Sequence, residues 1–296
     1  MQRVAPTADK TTPGVGRVPR SATVKSNRRL RPYIAEEREA ALEEFRVGHG
    51  PDFAFGGIVV VIAAFNEEQS IGEVLGHIPS SVDGYDVATL VIDDGSSDGT
   101  SSVAERYDGV KLVRLRRNCG HGVALRVGYR LAYEYGAKCI VTLDADMQWD
   151  PREMSVVLPP LLNDEADFVL GSRVLGAAET DDAFRQAGVH VFARLVSLLT
   201  GVKVTDTSSG YRAMRPEVTQ VVEQTQVQYQ TSELLIGAIY QGYRIAERPV
   251  TMHQRFAGES KKGTDLFYGI RYAKVILRTW RRERRKARRA GRSVRR

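Results

Sequence analysis

Hydrophobic and polar positions along the chain alternate between two rhythms. Residues 57–65 (GIVVVIAAF) form a continuous apolar run rich in β-branched side chains, the pattern of a strand buried on both faces. Further strands are predicted at the start of 86–100 (DVATLVIDDGSSDGT), which ends in acids and a turn, and at 110–115 (VKLVRL), 138–146 (KCIVTLDAD) and 166–173 (ADFVLGSR). Helical spacing falls between them, near 69–78 and over 123–136, with apolar residues at i, i+3 and i+4. Strands alternating with helices predict an α/β fold with a mostly parallel sheet. Such sheets bind ligands outside the carboxyl ends of their strands. The polar clusters fall at those ends: Asn66-Glu67, Asp93-Asp94, Asp144 with Asp146, and Ser172-Arg173.

The remaining segments are less regular. A short amphipathic helix leads in over 33–48, and another is expected at 190–202. Residues 205–214 (TDTSSGYRAM) read as a loop entering a strand, 231–242 as a helix, 243–256 as a strand with an extension, and 266–289 as a long basic helix. There is no internal repeat. The division expected is a basic disordered tail with its lead-in helix over 1–50, a catalytic domain over 51–263, and a basic amphipathic helix and tail over 264–296.

Charge changes this picture because it is segregated. Residues 271–296 hold 13 Lys and Arg against the single acid Glu283, a net +12. Residues 1–31 hold eight against Asp9, a net +7. With +7 overall, residues 32–270 carry −12. The body is acidic, so the basic pI speaks only for the ends, which suit an anionic partner. No window reaches the roughly 18 apolar residues of a membrane span, and the first residues lack the apolar core of a signal peptide. Cys119 and Cys139 are read as free thiols of a reducing compartment.

Two Asp one residue apart on an extended chain point the same way and repel. A divalent cation removes the conflict. Mg²⁺ or Mn²⁺ takes carboxylate oxygens and keeps positions for phosphate oxygens. Asp144-Ala145-Asp146, with Gln148 as a further oxygen ligand, therefore reads as a clamp on a metal–diphosphate. In VIDDGSSDGT, Asp93 is expected to reach a nucleotide, while Ser97 or Asp98 makes the turn and caps the next helix. NCGHGVALRVG (118–128) opens a helix with two glycines and suits phosphate. With Asp144 24 residues after Gly120, it keeps a nicotinamide enzyme open as a second reading. Against that, Leu125 stands at the third glycine position. His121 reads as a helix-start side chain; His190 and His253 receive no role.

AAFNEE, DDGSSDGT, GHGVALRVG, DADMQWDP, GSR, DTSSGYRAM and RFAGESKKG occur in that order. Over residues 57–263 the chain resembles the family 2 glycosyltransferases, and within them the polyprenol-phosphate (dolichol-phosphate) mannose or glucose synthases. The resemblance implies a GT-A fold, a Rossmann-like central sheet flanked by helices. It implies that Ala63, Phe65, Glu67, Val91 and Asp93 line the nucleotide, and that Asp144, Ala145 and Asp146 continue to the sugar diphosphate. Asp146 and Gln148 would hold the metal, Mg²⁺ or Mn²⁺. Arg173, Arg212, Arg255 and Lys261 would face the phosphates of donor and acceptor, with Asp144, Asp146 and Arg173 catalytic. The family has Pro and Tyr where this chain has Ala63 and Phe65, which leaves GDP or UDP open.

The implied activity is inverting transfer of a sugar from a nucleotide diphosphate to polyprenyl phosphate. The alternative acceptor is a soluble or polysaccharide hydroxyl; a non-catalytic adaptor is a third reading. A lipid acceptor places the protein in the cytoplasm, peripheral on the inner face of the plasma membrane. Two segments are expected to meet the bilayer. One is 190–202, through Val191, Phe192, Leu195, Leu198 and Leu199, unless that face packs on the domain. The other is the basic helix, where Tyr268, Ile270, Tyr272, Val275, Ile276 and Trp280 interleave with Lys and Arg. Such a run also permits nucleic-acid binding, but no nucleic-acid fold accompanies it.

Overall fold

The computed structural model describes residues 31–179, 182–256 and 266–291. Lys261 and most of RFAGESKKG lie outside the described residues. Helix α1 (Arg31–His49) precedes β1 (Ile58–Ala64). Then come α2 (Ile71–His77), β2 (Ser81–Val82), β3 (Tyr85–Asp93), α3 (Thr100–Ala104), β4 (Val110–Arg114), α4 (His121–Glu134) and β5 (Cys139–Asp144). A 3₁₀ turn (Pro151–Glu153) and the short α5 (Met154–Val157) and α6 (Pro159–Leu162) lead to β6 (Phe168–Ala178). The chain continues through α7 (Ala183–Thr200), β7 (Arg212–Met214), α8 (Pro216–Val221), α9 (Gln230–Gln241), β8 (Ile245–Met252) and α10 (Leu266–Arg289).

The strands form one sheet in the order β2-β3-β1-β5-β7-β6-β8, with β4 beside β3. β1 is parallel to β3 and β5, β3 to β4, and β6 to β8. β7 is antiparallel to both of its neighbours, β5 and β6. The α/β fold and mostly parallel sheet are as the pattern predicts. The reversed β7 has a consequence for the site: the loop that enters it, residues 205–211, lies at the edge where β5 ends.

Strand alternation builds two cores from one sheet. Val59, Val61 and Ala63 of β1 join a cluster with residues of α1, α4, α9 and α10. Ile58, Val60, Ile62 and Ala64 join the opposite cluster with residues of α2, α5 and α6. That is why the sequence of β1 is apolar throughout: both faces are covered.

Helix α10 shares the first core. Tyr272, Val275, Ile276, Thr279, Glu283 and Ala287 are buried at helical spacing. Phe192 of α7 meets Tyr272 edge to face at 4.6 Å, and Trp280 Nε1 donates to the Leu199 carbonyl at 2.7 Å. Arg282 donates to the buried Glu233 at 2.9 Å and to Glu283 at 2.6 Å. Tyr272, Val275, Ile276 and Trp280, expected to meet a bilayer, therefore pack on the protein, while Ile270 of the same face stands 42% exposed. Residues 190–202 divide: Phe192, Leu195 and Leu199 pack on the core, while Val191 and Leu198 stand 60% and 84% exposed.

Gly128 sets how closely α4 lies on the sheet. A Cβ there would sit 2.3 Å from Val61 Cγ1 in the middle of β1. Ala gains up to about 1 kcal/mol of helix propensity, whereas overpacking a buried contact costs about 1–3 kcal/mol. Gly128→Ala is expected to lower the urea midpoint at unchanged slope, a net loss of about 1 kcal/mol; an unchanged midpoint would mean that α4 moves away freely.

Candidate active site

The sheet register collects the sequence motifs. Ala63 lies beside Asp144 on one side and Ile92 on the other; Ala64 lies beside Asp93. The strand ends carrying AAFNEE, DDGSSDGT and DADMQWDP are therefore adjacent. Not every expected residue reaches the edge. Val91 pairs with Ile62 and Leu112 and is fully buried in the second core. Ala145 is buried there too.

The acidic loop is held open by its backbone. Gln148 N–H donates to Asp146 Oδ1 at 3.1 Å, with Met147 between them at a left-handed φ of 59°. The extension of β8 runs alongside: His253 N–H donates to the Gln148 carbonyl at 2.8 Å and Phe256 N–H to the Asp146 carbonyl at 3.3 Å. This pairing delivers Arg255. Its guanidinium lies 2.7 Å from Asp146 Oδ2 and 3.4 Å from Glu67 Oε1. Glu67 also accepts from the Ser70 hydroxyl at 3.0 Å. Asp144 is placed differently. A Cβ on Gly210 would lie 2.4 Å from its Oδ2, so only glycine fits against that carboxylate. His121 Nε2 is 3.9 Å from Asp144 Oδ1.

Among the described residues, no group of three or more His, Cys, Asp or Glu forms a metal cage. Mg²⁺-type sites need fewer, one or two carboxylates completed by substrate phosphates. The position between Asp146 and Glu67 already accepts a cationic group, the Arg255 guanidinium, and its donors are hard oxygens. The residues present fit such an ion.

The doubled acid at 93–94 works within the fold. Asp93 is fully buried and accepts from Ser96 N–H at 2.8 Å and from the Ser101 hydroxyl. Asp94 accepts from Cys119 N–H at 2.7 Å and Gly120 N–H at 2.8 Å, while Gly122 N–H donates to the Val227 carbonyl. The glycine-rich start of α4 thus spends these amides on protein oxygens, which removes the basis for a nicotinamide reading. Asp98 does turn work as expected, accepting from Thr100 N–H and Glu68 N–H. Asn66, at a left-handed φ of 52°, accepts from Ser97 N–H at 2.8 Å and ties the first two motifs together.

Arg173 stands at a second cleft. Its Nε and Nη2 hold the buried Asp206 at 2.6 and 3.3 Å, and its guanidinium lies over Trp149 at 5.2 Å. The cleft between β6 and α7 is lined by Arg173, Arg185, His190, Val174, Ala177 and Val189. Both β6 and α7 contribute a guanidinium and apolar side chains to it, Arg173 with Val174 and Ala177 from the strand and Arg185 with Val189 from the helix. Arg185 and His190 were not singled out by sequence, because neither has informative spacing. Arg212 goes elsewhere: it is 1% exposed, and Gln230, oriented with its amide oxygen inward, accepts from both terminal nitrogens at 3.1 and 3.0 Å. It is an interior residue rather than a cleft residue.

Residues 59–222 match the family described as Glycosyl transferase family 2. The chain belongs to that family. It is 38% identical over 210 residues to the dolichyl-phosphate hexose transferase of Haloferax volcanii, covering 71% of this chain and 88% of the relative. It is 30% identical over 214 residues to the polyprenol monophosphomannose synthase of Mycolicibacterium smegmatis, covering 69% and 80%. Glucosyl-3-phosphoglycerate synthase of Mycobacterium tuberculosis, solved with Mn²⁺, UDP and phosphoglyceric acid, superposes with a TM-score of 0.60 at 21% identity, covering 84% and 82%. That likeness carries the fold, a GT-A glycosyltransferase architecture, and the chain is a glycosyltransferase by family.

Asp94 gives this family 2 transferase a titration of its own. Burial pushes its carboxyl up to about 7, against the two backbone N–H bonds that lower it, and the Asp93 charge adds to the rise. The folded chain therefore holds this proton more tightly than the unfolded chain. Stability from this group is present at acid pH and is withdrawn as pH rises from about 4 to about 7. Carboxyl ¹³C NMR is expected to give an Asp94 midpoint near 7. A midpoint in the ordinary carboxylate range would mean that the two amides outweigh burial.

Proposed function

We propose that the protein transfers a hexose, mannose or glucose, from a GDP- or UDP-sugar to a polyprenyl phosphate, with inversion at the anomeric carbon. The observation that carries this reading is the pairing of two unlike subsites at one sheet edge. The acidic loop of Asp144 and Asp146 faces one side of loop 205–211, and the half-cationic, half-apolar cleft of Arg173, Arg185 and His190 faces the other. An amphiphile with an anionic head fits the second subsite. The names of the relatives, a hexose transferase to dolichyl phosphate and a polyprenol phosphomannose synthase, support the same acceptor.

Each residue then has a task. Ala63, Phe65, Glu67 and Asp93 border the nucleotide end, Asp93 by shaping the loop around it. Asp144, Asp146 and Gln148 hold Mg²⁺ or Mn²⁺, which when bound supplies positive charge to the diphosphate leaving group. The acceptor needs little activation, since a phosphate monoester with a second pKa of about 6 is largely dianionic at neutral pH. The task left to the chain is to bring two anions together. Arg173 offers oriented donors, its charge offset by Asp206, Arg185 supplies positive charge, and His190 adds a ring nitrogen that can hydrogen-bond. Arg255 is assigned to the phosphates, and Lys261, outside the described residues, is assigned to them from the sequence alone. No described helix is long and apolar enough to cross a membrane; we assign the enzyme a peripheral position on the cytoplasmic face of the plasma membrane.

A transfer assay tests this. Purified protein, Mg²⁺, a short polyprenyl phosphate and labelled GDP- and UDP-sugars are expected to give organic-extractable label from one donor. Asp146→Asn and EDTA should each abolish it with the fold intact by circular dichroism. Metal-dependent hydrolysis of a donor without organic label would retain the donor site and discard the lipid acceptor.

The contact between Arg255 and Asp146 makes a second prediction. An ion entering beside Asp146 must displace the guanidinium, so the two compete. Arg255→Met is expected to tighten Mn²⁺ binding by about fivefold or more, from the loss of one charge-assisted pair, while transfer falls. Calorimetry with Mn²⁺ alone reads the first effect; weaker binding in the variant would place the ion elsewhere.

A further inference from the structure

The buried face of α10 leaves its opposite face exposed among the described residues. Arg271, Lys274, Arg278, Arg281, Arg285 and Arg288 recur at spacings of three and four residues and are all exposed. At 100° per residue they form one ridge, nearly opposite the buried stripe of Tyr272, Ile276, Thr279 and Glu283. The ridge is straight and about 25 Å long at 1.5 Å per residue. None of the six has an ion-pair partner among the described residues. The neighbouring cations behave otherwise. Arg282 is paired with Glu233 and Glu283, Lys286 with Glu223 and Glu283, and Arg284 lies over Trp280 at 5.0 Å. The helix has thus sorted its charges: those beside the core are neutralised, and those on the outer ridge are left uncompensated.

We propose that this ridge binds the surface of an anionic bilayer by charge alone, without inserting side chains. The inference rests on the lipid acceptor proposed above and adds to it the surface and the mode of binding. A straight row of like charges fits an extended anionic plane. Of the helix's apolar residues, Tyr272, Val275 and Ile276 are occupied in the core, and Ile270, 42% exposed, lies before the first cation of the ridge. The ridge also starts in the right place. Arg271 adjoins Tyr272, which packs on Phe192 of α7, and α7 supplies Arg185, Val189 and His190 to the acceptor cleft. Lying on the headgroups, the ridge would hold that cleft beside the layer from which a lipid phosphate is drawn. Nucleic acid is the competing polyanion, and among the described residues α10 carries no exposed aromatic platform of the kind that single strands stack on.

Vesicle flotation of the full chain tests the proposal. Wild-type protein should float with phosphatidylglycerol-rich vesicles and not with phosphatidylcholine alone. It should be released near 1 M salt, where the screening length falls to about 3 Å. At about 1 kcal/mol per cation near an anionic leaflet, Arg278→Gln, Arg281→Gln and Arg285→Gln together should weaken partitioning about a hundredfold. The same three changed to Lys should retain binding, and Val191→Ser with Leu198→Ser should leave it within about twofold of wild type. Binding that survives 1 M salt, that survives the Gln substitutions, or that is lost with Val191→Ser and Leu198→Ser would overturn charge-only docking. So would capture by competitor RNA in place of vesicles. Transfer to detergent-dispersed polyprenyl phosphate separates the two readings. Transfer without flotation refutes the ridge and keeps the activity; flotation without transfer keeps the ridge and refutes the activity.

Discussion

Negative charge crowded at the carboxyl edge of the sheet is the constraint around which the site is organised. Glu67, Asp93, Asp94, Asp144 and Asp146 end adjacent strands or begin the loops after them. Buried like charges are costly unless offset. The chain offsets them in two ways. Asp93 and Asp94 are met by backbone amides and hydroxyls that belong to the fold, from Ser96, Ser101, Cys119 and Gly120. Asp146 and Glu67 are met by Arg255, the end of a flexible side chain on an extension of β8. Fixed compensation builds the loops; exchangeable compensation leaves a place that a ligand cation can take over. The same acidic edge therefore contains both scaffold and site.

That distinction marks what was legible in the sequence. Strand and helix order could be read because the central strands β1 and β5 are apolar on both faces and the helix α4 between strands keeps its period. The convergence of motifs followed from parallel strands, whose ends share one edge. Which acid of a pair serves the fold could not be read. Asp93 and Asp98 both stand in turn-forming context, and only the register shows Asp93 sealed under Ser101. The family resemblance implied Val91 as a lining residue, but alternation turns it into the opposite core. The resemblance likewise implied Arg212 at the phosphates. The reversed β7 instead points it inward, opposite Thr142, where Gln230 meets it. Arg185 and His190 lie on α7, far in sequence from every motif, and only folding brings them to Arg173.

Segregated charge has a related logic. The body carries −12 and the last 26 residues +12, so part of the basic helix is drawn onto the body. Glu223, Glu233 and Glu283 take up Arg282 and Lys286 along the seam. Attraction alone would neutralise the helix. Helical geometry prevents it, because cations on the far side cannot reach those acids. An amphipathic pattern in sequence thus had two solutions, apolar face to lipid or apolar face to protein. Aromatic anchors on α7 and immediately before α9 select the second, through Tyr272 between Phe192 and Tyr229.

Loop 205–211 joins these elements. Its Asp206 and Ser208 fix the guanidinium of Arg173, and its Gly210 lies against the Asp144 carboxylate. Asp206 N–H and Thr205 N–H are in turn held by Glu247 of β8 at 3.1 and 2.8 Å. β8 is also the strand whose extension delivers Arg255. A shift of this loop would therefore move the Asp144 carboxylate and the Arg173 guanidinium together, the groups proposed above for donor and acceptor. Transfer between two anions depends on holding them at one separation despite their repulsion, and orientation of this kind is among the largest contributions to a rate. The separation of those two groups is set by seven residues clamped between the end of β5 and the side of β8. The short strand β7, antiparallel to both β5 and β6, is what brings that loop back against the end of β5.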